Sequence, residues 1–471
     1  MAPSDRTRFA PNSPAARDIE YYLHPFTNLK AHEENGPLIV NEGKGIYVYD
    51  DQGNEIIEGM AGLWCTSLGF GEERLAMVAY EQMLKLPYIQ GFTHRSNEVA
   101  IDLAEKLISI APGNMGKVFF TNSGSEANDT QIKIVWYYNN ALGRPEKKKI
   151  IGRHKAYHGI TLAAASLSGV DYAHKGFDVP LDRFLHTRTP HFWREGLDGE
   201  TEDEFSTRLA QELDDMIVAE GPETVAAFIA EPVMGAGGVI VPPKGYFPKI
   251  QAVLKKHDVL MIADEVITGF MRTGNMFGCE TYDIQPDLIS IAKALSSAYL
   301  PIGGVMMTNE VYDVLREGGD KFGMWNTGYT YSGHPVCASV ALETLKIYEE
   351  RDLLGHVSSV MGTFQEQFAQ FADHPLVGEV RGAGLFAAME LTPDVENKGT
   401  FDPARRVAFQ MNAFAQKHGL IMRALPSDSV ALCPPLIITE DEIHALFDRF
   451  KLALDDTWDY VQKENMLAAA E

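Results

Sequence analysis

Hydrophobic residues in the middle of the chain form short unbroken runs, and stretches with helical spacing separate them. The helical stretches include Leu75–Leu86, Glu98–Ile110 and a segment from Ser125 to about Leu142. Apolar runs without alternation are typical of strands buried on both faces of a parallel sheet. The pattern predicts an α/β domain with a doubly wound, mostly parallel sheet over residues 76–335. The strand runs are Val118–Thr121, Lys149–Gly152, Ala226–Pro232, Val259–Asp264, Leu288–Ile291 and Gly304–Met307.

The C-terminal third has a different pattern, in which long helices alternate with a few short strands. Its last element is a further helix. The pattern predicts a smaller α+β domain over residues 336–471. The glycine-rich residues 1–75 are expected to contribute to this small domain and to the pocket. The C-terminal elements before the last helix are the helices Pro335–Glu350, Val357–Phe371 and Arg405–His418, two strands around Arg381–Leu391 and a strand near Val430–Leu432.

Charge and cysteine content narrow the classes of partner. Of 471 residues, 65 are Asp or Glu and 41 are Lys or Arg, a net charge of −24. So acidic a surface repels phosphate backbones, which argues against nucleic acid as a partner. There is no signal-peptide pattern and no apolar run of about 20 residues, so we expect a cytoplasmic protein without a membrane partner. Cys65, Cys279, Cys337 and Cys433 are widely spaced, as is typical of reduced thiols.

Opposite charges follow two of the predicted strands. Asp264 ends the run VLMIAD, and Lys293 ends the run DLISIAK 29 residues further on. Alone, such an Asp is usually a turn former or helix cap, and such a Lys has its ammonium in solvent. The two could also form a simple ion pair. Ligands of open α/β sheets gather at the carboxyl ends of the strands, so these residues are candidates for a binding site.

Two further motifs follow strands in the same way. Ser123, Gly124 and Ser125 open a helix, where free backbone N–H groups and the helix dipole suit a phosphate. An ordinary serine N-cap is the alternative. Tyr157 and His158 follow the strand KKIIG as an aromatic pair. Together these motifs suit one kind of ligand. It has a phosphate, a flat ring, a basic ring nitrogen that pairs with a carboxylate and an aldehyde that reacts with an amine, which indicates pyridoxal 5'-phosphate as the cofactor.

Several long blocks of the sequence resemble the signatures of one enzyme family, the class III aminotransferases. Within that class the chain is most similar to the ω-transaminases of the amine:pyruvate type, and the resemblance covers nearly the whole chain. It implies a fold type I pyridoxal-phosphate enzyme and a homodimer with shared active sites, or a tetramer. The blocks are TNSGSEAND (121–129), AEPVMGAGGVIVPP (230–243), ADEVITGFMRTG (263–274), IAKALSSAYLPIGG (291–304) and YTYSGHP (329–335).

The resemblance implies a role for each matching residue around the cofactor. Lys293 is the lysine that bonds to the cofactor aldehyde and moves the substrate proton, and Asp264 faces the pyridine nitrogen. Thr330 reaches the phosphate of the partner subunit's site. The remaining cofactor-binding positions are Ser123, Gly124 and Ser125 at the phosphate, Tyr157 and Val266 on the ring faces, and His158 and Glu231 beside the cofactor.

It also implies the residues that choose the substrate. Arg423 corresponds to an arginine that binds a carboxylate and swings away for an apolar amine. Phe26, Trp64 and Phe92 are expected to be pocket aromatics, with Phe92 serving the partner subunit, and Ala236 leaves room for the substrate. One departure is Met271, which stands where many relatives have glycine and leaves the conformation of that loop open.

The predicted function is amino transfer from a primary amine or ω-amino acid to a keto acid, chiefly pyruvate, in two stages. Other reactions of the same cofactor remain as alternatives, namely those of an aminomutase, a decarboxylase or a racemase. A non-catalytic binding protein on the same fold is a further alternative. Gly235–Gly238 precedes no helix, which argues against a dinucleotide site. His154 and His158 lie beside a strand rather than on a helix, so no metal is expected there.

Overall fold

The computed structural model describes residues 9–467, in which fifteen strands form three sheets. The strands are β1 Val40–Lys44, β2 Tyr47–Asp50, β3 Glu55–Glu58, β4 Met115–Thr121, β5 Lys149–Arg153, β6 Phe184–Thr187, β7 Val225–Ala230, β8 Leu260–Asp264, β9 Leu288–Ile291, β10 Gly303–Thr308, β11 Val377–Ala383, β12 Phe386–Leu391, β13 Leu420–Ile421, β14 Arg423–Leu425 and β15 Ser429–Leu432.

The α-helices of the described residues connect these strands and cover their faces. They are α1 Pro14–Tyr21, α2 Leu29–Asn35, α3 Ala61–Trp64, α4 Glu73–Lys85, α5 Glu98–Ile110, α6 Gly124–Ala141, α7 Leu162–Leu167, α8 Asp171–His174, α9 Phe192–Glu195, α10 Glu202–Glu220, α11 Tyr246–Lys256, α12 Gly278–Thr281, α13 Asn309–Phe322, α14 Pro335–Glu350, α15 Leu353–Ala369, α16 Val407–Lys417 and α17 Glu440–Lys463.

The largest sheet has seven strands in the order β4-β10-β9-β8-β7-β5-β6. The strands from β9 to β6 are parallel, and β10 runs antiparallel to both β4 and β9. Every residue of β7, β9 and β10 is buried, which explains their unbroken apolar runs. The predicted α/β class is confirmed. Neither the edge strand β6 nor the reversed direction of β10 was predicted, because β6 is short and half-exposed and an apolar run carries no direction.

Local sequence signals account for the helices that the apolar pattern left undefined. The helix α10 begins with a capping box, in which the Thr201 side chain accepts from the Glu204 N–H and the Glu204 side chain accepts from the Thr201 N–H. Phe205, Leu209 and Leu213 then recur at helical spacing and are all buried. Their burial against the sheet provides most of the stabilisation of this helix, since propensity alone is a weak term.

The first and last parts of the chain meet in a second sheet. Its order is β1-β2-β3-β13, and Leu420 of β13 lies opposite Ile57 of β3 in parallel register. A third sheet of order β11-β12-β15-β14 holds the strand that begins with Arg423. The pairing of Leu420 with Ile57 supports the prediction that residues 1–75 join the C-terminal region, while the predicted boundaries stay a prediction.

The loop after β8 contains the departure at Met271. Phe270 and Met271 have φ angles of 60° and 72°, in the left-handed region that favours glycine. The Met271 side chain is 1% exposed and packs in the main core. Burial of a Met side chain contributes about 1.5–3 kcal/mol, which offsets the roughly 1–2 kcal/mol cost of a left-handed non-glycine residue. Met271 is therefore a core residue of this loop, and its burial stabilises the left-handed conformation there.

Candidate active site

A cavity of 110 Å³ lies at the carboxyl ends of the parallel strands, beside the start of α6. This is where an open α/β sheet binds its ligands. The cavity brings together eight of the residues predicted from the sequence. Its lining consists of Gly124, Ser125, Asn128, Tyr157, His158, Gly159, Glu231, Val233, Asp264, Val266, Ile267, Ala292 and Lys293.

Asp264, the last residue of β8, is held by three donors. Its Oδ2 lies 2.8 Å from Nδ1 of His158 and accepts a hydrogen bond of 2.9 Å from Nδ2 of Asn128. Its Oδ1 accepts from the N–H of Val266 at 3.1 Å. Burial is the largest single influence and raises the pKa of Asp264. The hydrogen bonds and the charge of His158 together lower it by more, so the pKa lies below its ordinary value. Asp264 is therefore a buried carboxylate that stays ionised.

Lys293 follows β9 and begins a 3₁₀ turn over Lys293–Ser296, with φ 49°. The turn aims the residue at the cavity, and the hydroxyl of Tyr348 fixes it by donating to the carbonyl of Ala294 at 2.6 Å. Burial lowers the pKa of Lys293, opposed by the nearby charge of Asp264. A buried amine of lowered pKa is neutral for more of the time, which makes it the better nucleophile toward an aldehyde.

The start of α6 offers an anion site, but only two of the three residues expected there line the cavity. Ser123 is the N-cap, and its Oγ accepts from the N–H of Glu126 at 3.2 Å, so it is absent from the cavity lining. The Ser125 hydroxyl accepts from the N–H of Ile160 at 3.1 Å. The N–H groups of the first helical turn have no partner within the helix, so Gly124 and Ser125 offer theirs to a phosphate. A Cβ at Gly124 would lie 3.0 Å from the methyl groups of Val266, which keeps this approach open only for glycine.

Glu231 connects two loops at the side of the cavity. Its Oε1 accepts from the N–H of Tyr157 at 3.1 Å, and its Oε2 accepts from the N–H of Gly235 at 2.8 Å. Burial raises its pKa, more than the positive charges of its neighbours lower it. Glu231 thus positions Tyr157, the residue expected against the cofactor ring, through its backbone.

These groups fit pyridoxal phosphate. A lysine of lowered pKa, an ionised buried aspartate and a helix start with two available N–H groups surround one cavity. They correspond to the aldehyde, the basic ring nitrogen and the phosphate of that cofactor. The glycine at 124 leaves the space that the phosphate approach requires.

Arg423 lies at the start of β14 beside two tyrosines. Burial lowers its pKa, and the charges of Tyr172 and Tyr157 oppose this. Among residues 9–467, no carboxylate forms an ion pair with Arg423. Tyr172, 39% exposed, also contacts the ring of Phe26 edge-on at 6.0 Å, which brings Phe26 to the same side of the site. Sequence reasoning missed Tyr172, because nothing in its short helix α8 marks it.

Arg381 secures the strands around Arg423, and sequence reasoning missed it as well. Its Nε donates to the carbonyl of Gly238 at 2.8 Å, in the turn that also contains Ala236. Its Nη2 donates to the hydroxyl of Ser429 at 3.0 Å, on the strand that pairs with the strand of Arg423. The substrate-side turn and the Arg423 strand are thereby held together, with Ala236 buried at 6% exposure.

Trp64 packs next to the cofactor cavity rather than inside it. It is 3% exposed, lies edge-on to Phe386 at 5.1 Å, and belongs to the same apolar cluster as Ile267 of the cavity wall. Its loop contains left-handed residues, with φ 48° at Ala61, 66° at Gly62 and 64° at Trp64. The buried carboxyl group of Glu58 holds this loop by accepting from the N–H of Gly62.

We expect Glu58 to make stability depend on pH. Burial raises the pKa of Glu58 from 4.5 to about 8. Because the folded state binds the proton more tightly, the stability it contributes is present below pH 4.5 and is lost as pH rises through 8. Glu58→Gln keeps the acceptor and should raise the unfolding free energy by a few kcal/mol near pH 9, with little change near pH 5. Urea unfolding at both pH values measures this. Glu42→Gln, at an exposed position of β1, is the control, and an equal pH dependence in Glu58→Gln and wild type would contradict the prediction.

Phe92 and Thr330 are not among the residues that line the Lys293 cavity. Phe92 is 44% exposed and lines a separate cavity of 1160 Å³, together with Gly328. Thr330 is exposed, and its carbonyl accepts from the hydroxyl of Tyr88 at 2.8 Å. Neither residue lines the cavity of its own chain. That they contribute to the active site of a partner subunit therefore stays a prediction.

Among the described residues, 9–467, no helix combines the length and apolar character needed to cross a membrane.

Sequence reasoning also missed Asn128, although it lies within the motif TNSGSEAND, because only the structure shows that its amide reaches Asp264.

Comparison with known proteins agrees with this geometry. The profile of the family Aminotransferase class-III matches residues 29–454. Gamma aminobutyrate transaminase 3, chloroplastic, of Solanum lycopersicum is 50% identical over 458 residues, covering 96% of this chain and 88% of that protein. The omega transaminase from Pseudomonas jessenii, solved in complex with PMP, superposes with a TM-score of 0.94 at 52% identity, covering 96% of this chain and 99% of that one.

A transaminase solved with L-alanine superposes with a TM-score of 0.88 at 52% identity, covering 90% of this chain and 100% of that one. The family match spans most of the chain and includes every residue of the Lys293 cavity. The chain belongs to the class III aminotransferases and is a pyridoxal-phosphate enzyme of that family.

Proposed function

We propose that this aminotransferase moves the amino group of a primary amine or ω-amino acid to a keto acid, chiefly pyruvate, which leaves as alanine. The observation that supports this most is Arg423, a half-buried guanidinium beside two tyrosines without an ion-pair partner among residues 9–467. A guanidinium that has lost part of its hydration without gaining a counter-ion is costly, and a substrate carboxylate is its natural bidentate partner. A relative named as a gamma aminobutyrate transaminase and a transaminase solved with L-alanine support carboxylate substrates in both stages.

The residues divide the reaction between them. When bound, pyridoxal phosphate supplies an aldehyde that takes the amino group and a ring that accepts electrons. Lys293 Nζ removes and returns the proton of the substrate carbon, for which its lowered pKa suits it. Asp264, which stays ionised, would keep a proton on the ring nitrogen. Gly124 and Ser125 would hold the phosphate, and Arg423 would orient whichever substrate carries a carboxylate.

Replacement of Arg423 should separate carboxylate substrates from apolar ones. In Arg423→Gln we expect the KM for pyruvate to rise about 10- to 100-fold, because charged hydrogen bonds worth about 1.5–3 kcal/mol are lost. The KM for an arylalkyl amine donor should change little. Steady-state kinetics with each substrate varied in turn measures both. Arg316→Gln, at an exposed arginine paired with Asp313, is the control. An unchanged KM for pyruvate would remove Arg423 from substrate binding.

A panel of amine donors tests the reaction itself. The purified holoenzyme is incubated with pyruvate and γ-aminobutyrate, β-alanine, a diamine or an arylalkyl amine, and alanine is measured. We expect alanine in amounts equal to the aldehyde or ketone formed. Carbon dioxide, a rearranged amine or a racemised amino acid without alanine would favour a decarboxylase, an aminomutase or a racemase on the same cofactor.

We further propose a homodimer in which Phe92 and Thr330 complete the partner's site. Their absence from the lining of the Lys293 cavity of their own chain supports this, as does the large cavity beside Phe92. Mixing the inactive Lys293→Ala chain with an inactive Phe92→Ala chain tests it. Activity regained after dissociation and reassociation supports shared sites, and a mixture as inactive as its parts contradicts them. The predicted cytoplasmic location stays a prediction, since the tomato relative is named as chloroplastic.

A further inference from the structure

Three metal-ligating side chains converge in the N-terminal segment, far in sequence from the Lys293 cavity. Asp18 lies on α1, His24 follows that helix, and His32 lies in the last turn of α2. Nε2 of His24 is 3.0 Å from Oδ1 and 2.9 Å from Oδ2 of Asp18. Nε2 of His32 is 2.9 Å from the same Oδ1. Both imidazoles therefore direct the same nitrogen at one carboxylate.

The spacing of these atoms suits a small transition-metal ion. The three candidate ligand atoms all lie within 4.8 Å of one another. Zinc binds imidazole nitrogen and carboxylate oxygen at about 2.0–2.2 Å in a tetrahedron, which places ligand atoms about 3.3 Å apart. The observed nitrogen–oxygen separations of 2.9–3.0 Å would need to widen by only a few tenths of an ångström, and the ligand nitrogens of the two histidines lie within 4.8 Å of each other.

Accessibility and charge support the same interpretation. The side chains of His24, His32 and Asp18 are 24%, 12% and 19% exposed, so an ion can enter from solvent and keep a water as its fourth ligand. The net charge of −24 attracts cations.

A second group of potential metal ligands, His191, Glu379 and Glu390, differs in that its carboxylates already have arginine partners. Glu390 is already paired with Arg194 at 2.7 Å, and Glu379 with Arg381 at 2.6 Å. No arginine or lysine forms an ion pair with Asp18 in the part of the chain that the structure describes. Among the described residues, the ion-pair partners of the Asp18 carboxylate are the two metal-ligating imidazoles themselves, whereas the carboxylates of Glu379 and Glu390 are already neutralised by arginines.

We propose that Asp18, His24 and His32 form a binding site for a zinc-type divalent ion that fastens α1 to α2. Phe26 lies between two of the ligands, and its ring contacts Tyr172 at 6.0 Å beside Arg423. With φ 50° and 63% of its surface exposed, Phe26 depends on its flanking residues for its position. A metal on His24 and His32 would restrain the five residues after Phe26 and the short link before it, and so hold Phe26 at the edge of the substrate site.

Zinc content tests the proposal directly. The full-length holoenzyme is treated with EDTA, desalted, dialysed against micromolar ZnCl₂ and analysed by mass spectrometry for metal per chain. We expect wild type to hold one equivalent more than His24→Ala/His32→Ala. His418→Ala is the matched control, because His418 forms a two-residue pair with Asp456 at 2.8 Å, and it should retain the wild-type amount. Equal zinc in wild type and the double variant overturns the proposal.

Cobalt provides a readout that does not depend on the double variant folding. Wild type loaded with CoCl₂ should show the visible absorption of tetrahedral Co²⁺. Asp18→Asn keeps the shape of the side chain and one acceptor oxygen but removes the charged ligand, so its cobalt band should be weaker or shifted. Wild type and Asp18→Asn with the same spectrum would show that the carboxylate only bridges the two imidazoles by hydrogen bonds, and would overturn the metal site.

Discussion

Lys293→Ala is expected to fold as wild type and to lose turnover by about 10⁴-fold or more, because one side chain supplies both the nucleophile and the proton carrier. Lys293 lies at the edge of the core in a 3₁₀ turn that Tyr348 holds through the backbone, so loss of the side chain leaves the turn intact. Removal of a buried amine also removes the cost of burying its charge, which argues against a large loss of stability.

The measurement for Lys293→Ala combines alanine production with the cofactor spectrum and thermal unfolding. We expect the absorption of bound cofactor to change from that of a lysine-linked to that of a free aldehyde, with the melting temperature nearly unchanged. Lys256→Ala is the control, since Lys256 is an exposed lysine paired with Asp214. A Lys293→Ala enzyme with the wild-type rate would refute the assignment of the site.

Asp264→Asn is expected to have the second largest effect, a loss of rate of about 10²- to 10⁴-fold with the cofactor still bound. The neutral amide fills the same volume and can still accept from the N–H of Val266. It carries no charge to hold a proton on the cofactor ring, so the ring accepts electrons poorly. The loss should appear in kcat rather than in the KM of either substrate, because Asp264 would act on the ring nitrogen of the cofactor, whereas Arg423 is proposed to bind the substrate carboxylate.

The rate of each half-reaction, followed in single-turnover absorbance, tests the Asp264→Asn prediction. Asp287→Asn is the matched control, because Asp287 is also a largely buried aspartate that accepts a backbone N–H, that of Met261, at 2.7 Å. It should lose stability but keep its rate. If Asp264→Asn and Asp287→Asn lost the same small amount of rate, Asp264 would be a structural residue only.

Much of the site could be predicted from the sequence, for a topological reason. Apolar runs predict parallel strands, and residues that directly follow such strands meet at one edge of the sheet. Asp264, Lys293 and Tyr157 all follow predicted strands, which predicts that they share one site, and all three line the same cavity. The predicted cofactor and family are confirmed as well. They could be predicted because the motifs that indicate them are contiguous in the chain.

Other features depend on contacts between segments that are distant in sequence. The amide of Asn128 donates hydrogen bonds to the carbonyl of His158, 30 positions away, and to the carboxylate of Asp264, 136 positions away. Arg381 reaches Gly238 across 143 positions. No local pattern specifies such hydrogen bonds, because burial and side-chain direction arise only when the elements pack. Ser123 is a different case, because its hydroxyl caps the helix through the N–H of Glu126 only three positions on, which is the serine N-cap that the sequence had left open.

The sequence by itself therefore determined the family, the cofactor and the residues that follow each strand, since hydrophobic periodicity and contiguous motifs are local properties. Only the tertiary structure decided the direction of β10, the three donors on Asp264 and the place of Tyr172 beside Arg423. It alone also brought Asp18, His24 and His32 to one point. Each of these depends on how elements pack against one another, and side chains that meet through packing leave no periodic signal in the chain.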